Sequence, residues 1–195
     1  MAFPSTQSFH HERNIFANLF SPMSREINDA KTNAPVLYFK MKMMGDLQVY
    51  TDKTMQGMLL NCTKPQKIGF TWNVFDAENG NTHLGAIKGD FMKSALRFGK
   101  EAWTVTDPNG TPLLLFNADV TDSTTKHMLD NLTGFYNPTH QYNIWNAQEK
   151  PVARIWSKQG LWRFKYDLVI EDRATETERK MATAVFAAMT LLLKK

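Results

Sequence analysis

The imidazole and thiol groups of the 195-residue chain are five histidines, at positions 10, 11, 83, 127 and 140, and one cysteine, Cys62. None of the histidines stands in an H-E-x-x-H or Cys/His ligand spacing, and no Walker A, G-x-G-x-x-G or G-x-S-x-G element occurs. Transition-metal, nucleotide and acyl-transfer chemistry rest on those spacings. The expectation is a protein without catalytic residues, metal or cofactor, and so not an enzyme. Glu171, Asp172, Glu176 and Glu178 gather negative charge, but the alternating oxygens and sharp-turn glycine of a calcium loop are missing. Helix capping and solubility account for these carboxylates.

A cationic feature is more suggestive. The segment from Asp90 to Lys100 reads DFMKSALRFGK. At near-helical spacing, Phe91, Ala95 and Phe98 would face inward while Lys93, Arg97 and Lys100 point outward. Three cations on one face can hold phosphate headgroups, and they can equally form a solvated surface. The net charge of +4 is mild and spread along the chain, without the basic block of a nucleic-acid arm. Anionic phospholipid is therefore the partner expected, and nucleic acid is not. A lone cysteine permits no intramolecular disulfide and reads as a small buried hydrophobe in a reducing interior. Met1 to Ser8 lacks the basic-then-apolar order of a secretory signal, so the expected location is cytoplasmic and peripheral at the membrane.

The elements that would carry such a patch can be read in turn. Met181 to Leu193, MATAVFAAMTLLL, has no charge on any face. A helix built this way sits in a bilayer or inside its own protein. Its rise of about 20 Å falls short of the roughly 30 Å hydrocarbon core, so burial in protein is expected and a transmembrane span is not. Thr175 and Glu178 form a T-x-x-E capping box at its start. Phe186 and Leu192 are expected to be buried on every side.

Upstream, three segments repeat one pattern of aromatic, β-branched residue and Asp or Asn at alternate positions: Trp72-Val74-Asp76, Trp103-Val105-Asp107 and Tyr142-Ile144-Asn146. Alternation of period two marks a strand with one buried face. Glycines at 80 and 110 supply the turns after the first two, while the third turns through Gln148 to Pro151 without one. Val36 to Met44, Leu47 to Tyr50, Met55 to Cys62 and Phe164 to Ile170 read as further strands. Ten to twelve strands rarely stay open, and closure removes the exposed edges. The fold expected is mainly β: a closed antiparallel barrel of about twelve strands around a central hydrophobic C-terminal helix, over residues 35–195. Residues 1–34 read as an arm, partly helical or disordered, with Ile15, Phe16, Leu19 and Phe20 forming an apolar stripe if His11 to Phe20 is helical.

Residues 35–195 resemble the tubby C-terminal-like superfamily, which includes tubby, the phospholipid scramblases and the LURP-one-related proteins. The likeness rests on the hairpins around Val74-Phe75-Asp76 and Trp103 to Gly110, on Pro151-Val-Ala-Arg-Ile-Trp-Ser-Lys158, on Tyr166-Asp-Leu-Val-Ile170, and on the closing apolar helix. It implies a twelve-stranded barrel around a C-terminal helix. The acidic group before the helix lies where scramblases carry a calcium-binding segment, and the cysteine-rich and proline-rich segments of animal scramblases have no counterpart. The resemblance implies a non-enzymatic, lipid-associated module, and the patch read from spacing, Lys93, Arg97 and Lys100, is where it is expected to meet anionic headgroups. The other class open to the sequence is a soluble interaction scaffold, or a barrel holding a small apolar ligand at its mouth.

Overall fold

The computed structural model describes residues 7–14, 24–42, 45–65, 71–90, 102–119, 139–159 and 163–192. Twelve strands precede one helix. They are β1 (Ser8–Asn14), β2 (Ser24–Asp29), β3 (Pro35–Met41), β4 (Leu47–Tyr50), β5 (Met58–Thr63) and β6 (Thr71–Asp76), followed by β7 (Thr82–Asp90), β8 (Ala102–Thr106), β9 (Pro112–Asp119), β10 (Thr139–Asn146), β11 (Pro151–Gln159) and β12 (Arg163–Ile170). Helix α1 spans Glu176–Leu192. Every strand pairs antiparallel with its sequence neighbours, and β1 pairs with β12 from Ser8↔Val169 to Asn14↔Arg163, which closes the barrel.

The alternation read from the sequence sets which side chains face inward. Leu37 and Phe39, Trp72 and Val74, Tyr142 and Ile144, and Tyr166, Leu168 and Ile170 all enter one core with the helix. An eight-stranded barrel is about wide enough for side chains alone to fill, so twelve strands leave a lumen that needs another element. A helix about 10–12 Å across suits that space. Helix α1 packs against β2, β3, β4, β5, β7, β11 and β12, and Met181 through Met189 are at most 2% exposed. Phe186 meets Phe39 edge to face with centroids 6.1 Å apart. The expected burial of Phe186 holds; the side chain of Leu192 lies outside the described residues.

The N-terminal arm is a correction. Ser8–Asn14 and Ser24–Asp29 are wall strands of the barrel rather than an arm ahead of it. His11 to Asn14, read as the start of a helix, are extended, and residues 15–23 lie outside the described residues. Phe9 and Ile27 face the core, but the buried His11 shares the inward face of β1 and hides the apolar alternation. His11 Nδ1 bonds to the carbonyl of Glu26, anchoring β1 to β2 beside the two paired positions of that ladder.

Because neighbours alternate in direction, five tight connections, β2–β3, β4–β5, β6–β7, β8–β9 and β10–β11, share one end of the barrel, and α1 starts there after β12. Close approach has its own requirement in the wall. Gly85 has φ +141, and a Cβ there would lie 2.0 Å from the Thr106 carbonyl oxygen, so only glycine lets β7 pass β8 at this point.

Candidate functional site

The third residue of each sequence repeat performs the same local task. Asp76 Oδ1 accepts from the Glu78 N–H, Asp107 Oδ1 from those of Asn109 and Thr111, and Asn146 Oδ1 from those of Gln148 and Lys150. Each thereby closes its strand into a turn. The third turn lacks glycine, and Glu149 takes the left-handed φ of 57° instead.

Two of these residues also reach the helix. Lys180 Nζ donates to Asp76 Oδ2 at 2.8 Å and to Glu176 Oε1 at 2.7 Å, with Glu78 Oε2 at 3.6 Å. Asn146 Nδ2 donates to Glu178 Oε1 at 2.9 Å, and Glu178 Oε2 accepts the Thr175 N–H at 2.8 Å. The Glu178 N–H returns a bond to Thr175 Oγ1, completing the capping box. The first turn of α1 is thus clasped to two strand-end turns by carboxylates.

Electrostatics favour the ionised clasp. Burial alone would raise the Asp76 carboxyl, but hydrogen bonds from Lys180 and Asn79 hold it below the ordinary range. Burial would likewise raise Glu178, and the bonds from Thr175 and Asn146 keep it low. For Lys180, burial pulls the ammonium down, yet its bonds to Asp76 and Glu176 carry it above the usual lysine value. Such a lysine is a fixed cation, not a nucleophile. Burial pushes the Cys62 thiol up, so it too is unreactive.

The opposite end has a different chemistry. There β3 runs out at Lys40 to Lys42, β5 into Lys64, β7 through Lys88, and β12 begins with Arg163 and Lys165. Lys42, Lys88 and Lys165 are exposed, and Lys165 pairs with Glu12 at 3.1 Å. At the turn end, Asp29, Asp52, Asp76, Glu78, Asp107, Glu149, Glu171, Asp172, Glu176 and Glu178 outnumber the cations Lys31, Lys53, Lys150, Arg173, Arg179 and Lys180, while Asp46, Asp90 and Asp119 are carboxylates of the basic end. Along the outer wall between the ends, Trp156 Nε1 donates to Gln141 Oε1, Arg154 lies 5.5 Å over the Trp156 ring, and His10 Nδ1 meets Asp167 at 2.5 Å. These contacts tie β10 to β11 and β1 to β12 laterally.

Lys93, Arg97 and Lys100 lie outside the described residues. The strand ends flanking their segment, Asp90 and Ala102, pair with one another at the basic end. Among the described residues no three His, Cys, Asp or Glu side chains converge as a metal site, and no helix is long and apolar enough to cross a membrane. No protein-family profile matches the chain, and no curated protein does. Sequence reasoning missed Lys180, which stands one residue before the apolar run. The i,i+4 pairing of Glu176 with Lys180 was a visible signal. Asp76 as the third partner had none.

Proposed function

We propose that the protein is a non-enzymatic, lipid-associated module that binds anionic headgroups at the basic end of its barrel, in the manner of the scramblases and LURP-one-related proteins it resembles. The observation that supports the reading is a difference in net charge between the barrel ends: cations such as Lys40, Lys42, Lys64, Lys88 and Lys165 outnumber carboxylates at the end where the segment bearing Lys93, Arg97 and Lys100 joins the wall, while carboxylates outnumber cations at the other end. The seventeen residues of α1 span about 25 Å, roughly three Debye lengths at physiological salt. Repulsion from the acidic end is screened over that distance, and the basic end meets an anionic surface as if alone. The filled lumen adds support, because α1 occupies the space a roomy ligand cavity would need.

Each Lys or Arg near an anionic surface contributes about 1 kcal/mol, so three give up to about a hundredfold in partitioning at low salt. Co-sedimentation with phosphatidylserine-rich vesicles over a salt series tests this. Binding should be weak, should fade as salt rises, and should be absent on neutral vesicles. The Lys93→Glu, Arg97→Glu double variant should lose most of it. Equal binding by both proteins would remove this patch, and no binding by either would put the soluble scaffold ahead.

A further inference from the structure

We propose that the first turn of α1 is an acid-released latch: carboxylates hold it to the strand-end turns at neutral pH, and their protonation frees it while the barrel wall stays paired. This does not depend on lipid binding. Lys180 is 1% exposed and its attachment to the wall passes through Asp76 and Glu78, with Glu176 on its own helix. Glu178 makes the second attachment, to Asn146, with Lys150 of the β10–β11 turn as the cation acting on it. Arg179 fastens the same turn through the carbonyls of Ala174 and Asp172, groups that do not titrate. Among the described residues the charged groups around the latch are thus the carboxylates of Asp76, Glu78, Glu176 and Glu178, the ammonium groups of Lys150 and Lys180, and Arg179, which also bonds the carbonyl of Glu171 beside the Asp172 carbonyl.

With Asp76 protonated together with Glu176 and Glu78, the Lys180 ammonium is left buried without a counter-charge, which costs far more than meeting water at the barrel mouth. One turn further along, Thr183 Oγ1 is buried and has no hydrogen-bond partner among the described residues. Opening the first turn gives that hydroxyl water and offsets part of the loss. The lumen does not share the trigger, since Val185 through Met189 sit among apolar side chains, and the wall is held chiefly by backbone ladders, to which Glu12, Asp107 and Asp167 add only surface and turn contacts. Local release therefore precedes global unfolding.

Amide hydrogen exchange on the full chain, corrected for intrinsic rates, reads the two separately. Between pH 7 and pH 2, as Asp76 and Glu178 are driven through their lowered folded range, protection of the amides from Lys180 to Ala184 should fall at least about tenfold. Protection at Val74, Tyr142 and Leu168 should hold. The Asp76→Asn, Lys180→Met double variant should lose most of this pH response. A parallel fall in wall and helix, or an unchanged response in the double variant, would overturn the latch. Should that variant fail to fold, Glu78→Gln with Glu176→Gln provides the check: protection of the first turn should already drop at pH 7, and full protection there would equally sink the proposal.

Discussion

Lys180 Nζ lies 2.8 Å from Asp76 Oδ2, a pair 104 positions apart in the chain with both side chains beneath the surface. Removing one partner strands the other. Lys180→Ala should cost about 3–5 kcal/mol, the range for breaking a buried ion pair from one side. Asp76→Asn with Lys180→Met should recover most of that loss, because no unpaired charge remains. Urea denaturation of the three proteins decides it; equal losses in single and double variants would refute the account.

The shifts at Asp76, Glu178 and Lys180 define a stability plateau with two edges. Asp76 and Glu178 are lowered on folding, so their contribution is full above the ordinary carboxylate value of about 4 and is lost as pH falls through the lowered folded values. Lys180 is raised, so its contribution is full below about 10.4 and is lost as pH climbs through its folded value. Thermal midpoints should be flat from roughly pH 5 to 10 and fall beyond each edge. Lys180→Met should erase the alkaline edge attributable to this group.

Phe186 is fully buried against Phe39 in the lumen. Phe186→Ala should cost about 3–5 kcal/mol, and Phe186→Asp should abolish soluble expression because an unpaired charge cannot be accommodated there. Deleting residues 177–195 should send the barrel to inclusion bodies. A soluble, folded Phe186→Asp protein would contradict the lumenal packing.

Thr183→Val keeps the shape and the β-branch but removes a buried hydroxyl that lacks a partner among the described residues. Stability should rise by about 1 kcal/mol. A loss of similar size in urea titration would mean that the hydroxyl is satisfied.

Sequence alone determined the helix, the strands after residue 34 and most of the core. Period-two alternation at Leu37/Phe39, Trp72/Val74 and Tyr166/Leu168 assigned strand and inward face together, since side chains in a strand must alternate. The chargeless run from Met181 had to be buried, and a strand count near twelve required both closure and a filler. Thr175 and Glu178 announced the helix start because capping is a local event. Tertiary structure decided what depends on distant chain meeting. The two N-terminal strands joined the wall only because β12 and β3 would otherwise keep open edges, and His11 masked their pattern. Asp76, legible as a turn residue, became the counter-ion of Lys180 once closure brought a strand end onto the first turn of α1. The unequal charge of the barrel ends arose in the same way: an antiparallel meander sends alternate connections to opposite ends, so charges mixed along the chain leave one end with an excess of carboxylates and the other with an excess of cations.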